Sequence, residues 1–370
     1  MDRRNFISQT LLLSAGLAMK GFSESNSVSY HNKINKMGNT IQSKRPRPLT
    51  LSGFGGVALG NGFNENSDSK CLEAMDAAWN AGVRYYDTSP WYGLGISERR
   101  MGLYLKDKKK EDYSISTKIG RLLIPKDNYV QEGLMWKGQM NASYKYDYTA
   151  AGARKSVEES LQRLGVGSLD FVFVHDLSPD NGDMGKDWLN YFETAKNGAF
   201  KELTRMREEG IIKGWGLGVN TIEPILKTIE VADPDIFLSA CQYSLIHYED
   251  DLNQVFPVVA ERDISIVVGA PLCAGFLAGK DRYLYGKDIP EFAAKKLIAL
   301  KRVAENHQVD LRSAALQFSA APEVVSAVIP GASGPEQSAE NAESFKKKIS
   351  PEFWEELKHN KLIAEHSPVP

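Results

Sequence analysis

The chain has 370 residues, of which 42% are hydrophobic and 25% charged, with 45 Lys plus Arg against 47 Asp plus Glu. That length allows one large domain or two ordinary ones, and the composition is that of a globular protein rather than a collagenous, wholly disordered or membrane-bundle chain. The formal net charge of −2 lacks the basic excess that drives phosphate-backbone binding, which argues against nucleic acid as a partner.

The amino terminus reads as an address. In MDRRNFISQTLLLSAGLAM, adjacent Arg3 and Arg4 precede Phe6 and a short apolar run ending in small residues, the layout of a twin-arginine signal. The run is too short to span a bilayer as a helix. No cysteine follows it to accept a lipid, so no membrane anchoring is expected after cleavage. Residues 1–22 are thus expected to direct export to the periplasm. Residues 23–48, polar and poor in large apolar side chains, read as a disordered linker, and the folded domain is expected over residues 49–365.

From Leu49 onward, short β-branched or aromatic runs alternate with longer stretches whose apolar residues recur at helical spacing. The strand-like runs are LTLSGFGGV, VRYYDT, YSISTK, LDFVFVH, IKGWGLGV, IFLSACQ, ISIVVGA and VVSAVIP. Between them lie segments such as SKCLEAMDAAWNAG, ARKSVEESLQRLG, GAFKELTRMREEG, TIEPILKTIEVA and EDDLNQVFPVVAERD, several followed by a Gly suited to a helix C-cap. The order never lapses into consecutive strands. Such alternation implies a parallel sheet covered by helices, and eight units point to an α/β fold of the (β/α)8 TIM-barrel type with long loops at its C-terminal face. Two segments interrupt the rhythm. GRLLIPKDNYVQEGLMWKGQMNASYKYDY, after the third strand, is longer than a plain connector and reads equally as a ligand-binding loop or a structural cover. CAGFLAGKDRYLYGKDIP, after the seventh strand, is expected to close over a bound ligand.

Cys71, Cys241 and Cys273 form none of the close-spaced pairs of zinc or redox sites and read as buried thiols. Whether Cys241 and Cys273 pair is left open, because sequence does not give their separation.

In a barrel, residues at the carboxyl ends of strands point into the active site. Asp87 ends the second strand, Tyr92 follows in the loop, Lys118 ends the third strand and His175 ends the fourth. A free tyrosine titrates near pH ~10 and shuttles protons poorly at neutrality. A neighbouring ammonium, held charged by a carboxylate, would lower that pKa, and an imidazole can donate to the oxygen on which charge develops. Singly, each residue is as well explained by a turn cap or a solvated strand end; together they suggest one site.

These four residues, with YYDTSPWYG around the first two, resemble the tetrad of the aldo-keto reductase superfamily. The resemblance extends through SGFGGVALGN, LGVGSLDFVFVHD, REEGIIKGWGLGVN, CQYSL and IPGASGPEQSAEN. GFGGVALGNGF, SERRMG and HDLSPD are most similar to the branch of D-threo-aldose 1-dehydrogenases, also called L-fucose dehydrogenases, with pyridoxal dehydrogenases close by. The resemblance implies NAD or NADP lying extended across the barrel mouth, with no Rossmann domain; no GxGxxG opens the chain's first helix. It implies that Gln242 holds the carboxamide with Asn220 as helper. Pro271 and Leu272, then Pro330, Gly331, Gln337, Glu340 and Asn341, would line the rest of the cofactor, with Gly331 and Gly334 letting backbone approach phosphate. Relatives that prefer NADP carry Lys or Arg where this chain has Gly331, Ser333 and Gln337, so the expectation leans to NAD. The aromatic residue that stacks on nicotinamide in many relatives is replaced here by Gly269 and Ala270.

The reaction so implied is oxidation of an aldose such as L-fucose to its lactone, with Tyr92 as acid/base and Trp91 stacking on the sugar. Trp136 reads rather as core or cover packing. Small carbonyls, including pyridoxal-type aldehydes, are the alternative substrates, and a cofactor-sensing binding subunit is the non-catalytic alternative. A barrel glycoside hydrolase would need two opposed carboxylates; Asp87 and Asp176 are the only obvious pair, and Lys118 has no role in that chemistry.

Overall fold

The computed structural model describes residues 43–130, 133–286 and 288–370; the signal expected at 1–22 and the linker up to residue 42 lie outside the described residues. Lys44 and Arg45, within the stretch read as linker, are tied to the folded domain. The Arg45 guanidinium donates to Pro234 O at 2.8 Å and to Asp233 Oδ1 at 2.6 Å, and the Lys44 N–H to Asp263 Oδ2 at 2.9 Å. A single guanidinium with several fixed acceptors offsets the ordering entropy that the apolar content alone would not.

Ten strands are present among the described residues: β1 (Gly53–Gly55), β2 (Tyr85–Asp87), β3 (Ser114–Ile119), β4 (Arg121–Pro125), β5 (Ala142–Tyr146), β6 (Leu169–His175), β7 (Ile212–Val219), β8 (Ile236–Ala240), β9 (Ser265–Gly269) and β10 (Val325–Ile329). Eight of them pair in parallel in the order β1-β2-β3-β6-β7-β8-β9-β10. Parallel bridges Ser52↔Val328 and Gly55↔Gly331 join the two ends and close the barrel. All eight expected strand runs contain a barrel strand. The expectation that strands never follow one another fails at one place: β4 and β5 form an antiparallel hairpin between the third barrel strand and the next helix. Gly120, at φ 118°, turns the chain sharply out of β3 so that β4 starts one residue later.

Alternation along the strands divides the core into two layers. Tyr85, Phe171, Phe173, Ile236, Leu238, Val267, Ala327 and Ile329 fill the barrel interior, while Tyr86, Val172, Val174, Trp215, Leu217 and Val268 face the helices. Each such side chain contributes about 1.5–3 kcal/mol on full burial. On β7 every second residue is glycine: Gly214, Gly216 and Gly218 lie opposite Phe171, Phe173 and His175. A Cβ on Gly216 would fall 1.7 Å from Ile236 O, and one on Gly218 3.5 Å from Lys118 Cε. The small face of β7 thus makes the room in which two phenyl rings and a lysine stem fit.

Two of the helices packed on the first half of the barrel start where a side chain caps them. Ser67 accepts from Lys70 N ahead of Asp68–Asn80, and Thr149 accepts from Gly152 N ahead of Ala150–Leu164, which ends on Gly165 at φ 67°. A helix at Trp188–Asn197 precedes the expected one at Ala199–Glu208. No helix among the described residues is long and apolar enough to cross a membrane.

Candidate active site

Asp87 and Lys118 occupy the inward positions at the ends of neighbouring strands, and both are about 1% exposed. The Lys118 ammonium donates to Asp87 Oδ2 at 2.7 Å and to Thr88 O at 2.9 Å, while the Ser116 hydroxyl donates to Asp87 Oδ1 at 2.7 Å. Burial pulls the lysine below and pushes the carboxyl above their ordinary values, and their mutual contact opposes both shifts. With the remaining lone pairs satisfied, the pair is the fixed charge at the bottom of the site.

Tyr92 sits on the turn after β2, its ring face 4.6 Å from the Lys118 ammonium. The close approach depends on Gly60, where a Cβ would lie 2.5 Å from the Tyr92 carbonyl carbon. Burial, reinforced by the Asp87 charge, holds the phenol well above its usual pKa. The expected lowering by Lys118 is therefore not what this geometry produces: the ammonium lies over the ring and is directed to Asp87 and Thr88, so burial wins. Tyr92 stands as a protonated phenol.

His175 packs edge-on against Tyr92, with ring centroids 5.8 Å apart. Burial, then the charges of Lys118 and Arg121, push its pKa well below the usual histidine range, so the ring is neutral. The Trp91 N–H donates to Ser89 Oγ at 3.1 Å, and Ser89 Oγ lies 3.2 Å from His175 Nδ1. Ser89 Oγ can serve Nδ1 as donor or as acceptor, but on the other side of the ring the acceptor Asp176 Oδ1 lies 3.4 Å from Nε2 and favours the tautomer with its proton on Nε2.

Trp91, Tyr92, Lys118, Met135, Trp136, His175, Asp176, Asn220 and Tyr285 line a pocket of about 130 Å³. Val57 is shared between it and a groove of about 410 Å³. The groove runs past Pro271, Leu272, Pro330, Gly331, Gln337, Glu340 and Asn341, all expected there, and past Lys280, Arg282 and Arg312. At its floor the helix Pro335–Ser344 begins without a side-chain cap, so its first N–H groups are open to an anion. Three cations and an uncapped helix end suit an extended anionic ligand. Arg312 is already paired with Glu340, and Gln337 Oε1 accepts from both Ser333 N and Ser333 Oγ.

Two expected residues stand apart from the cavities: Asp87 lies beneath the pocket, and Gln242 spends its amide N–H on Asn220 O. Asn220 reaches the pocket but donates to Asp180 Oδ2. Trp136 both buries itself and lines the pocket, at 4% exposure. Sequence reasoning missed Ser89, Arg121, Met135, Tyr285, Lys280, Arg282 and Arg312. Five of these, Arg121, Met135, Lys280, Arg282 and Tyr285, lie in the two segments singled out as interruptions, and their Arg, Lys and aromatic content was the available signal. Cys71 and Cys273 are buried thiols as expected; Cys241 is only half-buried, in a left-handed turn at φ 66° after β8, and all three are free.

A polar cluster fixed at the carboxyl end of a parallel barrel, beside a groove lined by cations, is the arrangement of a barrel enzyme. The family model for the aldo/keto reductase family matches residues 53–361, and the chain belongs to that family of oxidoreductases. It is 33% identical to a D-threo-aldose 1-dehydrogenase of a Pseudomonas species over 84% of this chain and 94% of that protein. It is 31% identical to a pyridoxal 4-dehydrogenase of Microbacterium luteolum over 85% and 95% of the two chains. Among solved structures, an aldo-keto reductase from Bacillus halodurans in its holo form superposes with a TM-score of 0.65 at 21% identity, covering 88% of this chain and 100% of that one.

Proposed function

We propose that the protein is a nicotinamide-dependent sugar dehydrogenase that oxidises an aldose, of the L-fucose or D-threo type, at its anomeric carbon to the lactone. The observation that carries this reading is the convergence of Tyr92, His175 and the Asp87–Lys118 pair on one pocket that shares a wall with the anion groove. The likeness to a D-threo-aldose 1-dehydrogenase supports the substrate class.

When bound, the nicotinamide ring supplies the hydride acceptor. The chain's own residues do the rest. Lys280, Arg282 and the open helix end at Pro335 would hold the pyrophosphate, and Asn341 and Glu340 would face the adenine. Tyr92 exchanges the proton of the reacting oxygen, and His175 Nε2–H donates to that same oxygen. The Asp87–Lys118 ion pair fixes the floor on which the Tyr92 ring rests, with the ammonium 4.6 Å from the ring centroid. Trp91 and Trp136, set edge-to-face with ring centroids 5.4 Å apart, give the pocket an apolar corner in which one face of a sugar ring can rest. Gly331, Ser333 and Gln337 leave the 2′-position without a free cation, which favours NAD; Arg312 is engaged by Glu340. We further propose export by the twin-arginine route, with cofactor acquired before export and recycled in place.

A second reading, reduction of an aldehyde, is favoured by one observation: a phenol held above its usual pKa is ready to donate a proton. The similar pyridoxal 4-dehydrogenase makes a heteroaromatic aldehyde the first candidate there. Assay of the purified protein for co-purified nucleotide, followed by a screen of aldoses with NAD and NADP, tests the proposal. Turnover of no aldose with either nucleotide would overturn it.

A further inference from the structure

We propose that Asp176 is a specificity-determining residue that accepts a hydrogen bond from a hydroxyl on the carbon next to the reacting carbon, so that the pocket selects α-hydroxy carbonyls and their vicinal-diol counterparts. The inference deepens the sugar-dehydrogenase reading and rests on the same pocket.

Asp176 directly follows His175, and in a continuing strand the two side chains would point to opposite faces. Here both line the pocket, because Asp176 leaves the strand in the left-handed region at φ 48°. Such a conformation in a non-glycine residue persists only where its surroundings enforce it. The Asp176 N–H donates to Gly218 O at 3.0 Å, the Asn181 side chain donates to Asp176 O at 2.9 Å, and the Tyr148 hydroxyl donates to His175 O at 2.9 Å. Three hydrogen bonds from three different segments thus hold the turn.

The carboxylate is oriented as firmly as its backbone. Arg121, from the first residue of the unexpected hairpin, donates to Asp176 Oδ2 at 2.7 Å. Its guanidinium is enclosed by the rings of Trp91, Tyr146 and Tyr144, with centroid distances of 4.4, 5.0 and 5.7 Å. An arginine so stacked cannot follow a wandering partner. Oδ2 is therefore committed, and Oδ1 is left beside His175 Nε2, 3.4 Å away, with no hydrogen bond from the described residues. Side-chain exposure of 20% leaves that oxygen open to the cavity.

The wall accordingly presents a donor and an acceptor side by side. The imidazole carries its proton on Nε2, the nitrogen beside Asp176 Oδ1, and presents it at the cavity wall, while the Asp176 oxygen next to it can only accept. A reacting carbon–oxygen bond flanked by a carbinol supplies the complement: its oxygen accepts from His175 and Tyr92, and the neighbouring hydroxyl donates to Asp176. A substrate lacking that hydroxyl, once seated, would cut the half-buried acceptor off from water without replacing its hydrogen bond, so discrimination is steep.

The test compares reduction of glycolaldehyde and acetaldehyde, which differ by the α-hydroxyl, by wild type, Asp176→Asn, and the double variant Arg121→Met/Asp176→Ala, which leaves no unpaired buried charge. Wild type is expected to favour glycolaldehyde in kcat/KM by roughly 10²-fold or more. Both variants should lose most of that preference, read as the ratio of the two kcat/KM values within each protein, whatever happens to the absolute rates. Equal losses on both aldehydes would assign Asp176 a merely structural role and overturn the proposal, as would a wild type without preference or one that reduces neither aldehyde. Because no sugar is used, failure of the aldose screen and failure of this comparison are separate results.

Discussion

Asp251 offers a stability test that leaves the active site untouched. It follows β8 at the start of a single π-helical turn, Asp251–Val255, and is fully buried. Neither carboxyl oxygen has a hydrogen-bond partner among the described residues, and the nearby Ser239 and Tyr243 hydroxyls are likewise unpartnered. Burial pushes the carboxyl from 3.8 up to about 7, with the Ser239 hydroxyl opposing the shift only in part. In the unfolded chain the group loses its proton near pH 3.8, whereas in the folded chain it keeps it until about pH 7. Folding is therefore favoured by the bound proton at low pH, and stability falls as pH rises between those values, with no further loss above. Three pH units at about 1.36 kcal/mol each give about 4 kcal/mol. Asp251→Asn removes the titration and keeps the shape. Urea unfolding of both proteins from pH 4 to pH 8 should show the variant gaining on wild type across that interval, to a difference of about 4 kcal/mol at pH 8. Parallel pH profiles for the two proteins would refute the reasoning, because they would mean that the carboxylate is ionised and solvated in the folded state.

Tyr92→Phe should reduce turnover by about 10²- to 10⁴-fold while nucleotide binding, followed by nicotinamide fluorescence, stays within a few-fold; a variant that keeps its turnover would remove the phenol from the chemistry. Because Tyr92 is held protonated, oxidation should accelerate with rising pH through the alkaline range while reduction slows there; opposite slopes in initial-rate profiles would contradict that assignment. His175 is neutral well below its usual range, so neither direction should show a limb between about pH 6 and 7. Gly216→Ala, whose Cβ would meet Ile236 O at 1.7 Å, should fail to yield folded protein by circular dichroism, whereas Gly218→Ala, facing Lys118 Cε at 3.5 Å, should fold.

The parts of this molecule that were legible in the sequence are those governed by a short period. Strands buried on both faces are nearly continuous apolar runs, and a polar residue ending such a run, as Asp87, Lys118 and His175 do, marks the barrel's open end. The alternation of glycine with Trp215, Leu217 and Val219 likewise announces a strand with one small face. The β4–β5 hairpin gave no such signal. Its strands are separated by a long loop without an Asn-Gly or Asp-Gly turn, and its alternation is blurred because Arg121 and Leu122 are both buried, one toward the site and the other toward the cover.

The same distinction explains which functional residues were found. Asp87, Lys118 and His175 stand at strand ends, whose direction is set by the pleat, and Tyr92 follows five residues after Asp87, so residue type and position sufficed to nominate all four. Arg121 is the hydrogen-bond partner that orients Asp176, and Asp176 reaches the pocket only because its backbone leaves the strand conformation. Neither fact follows from local spacing; both come from contacts between a hairpin, a strand end and the turn carrying Trp91. Chemistry shared by a whole family can rest on the strand ends that every barrel supplies, whereas the choice of substrate needs side chains placed by loops particular to one chain. A carboxylate fixed by an arginine from the long loop after the third strand is such a placement. It puts the discriminating contact where sequence periodicity is silent and only tertiary geometry speaks.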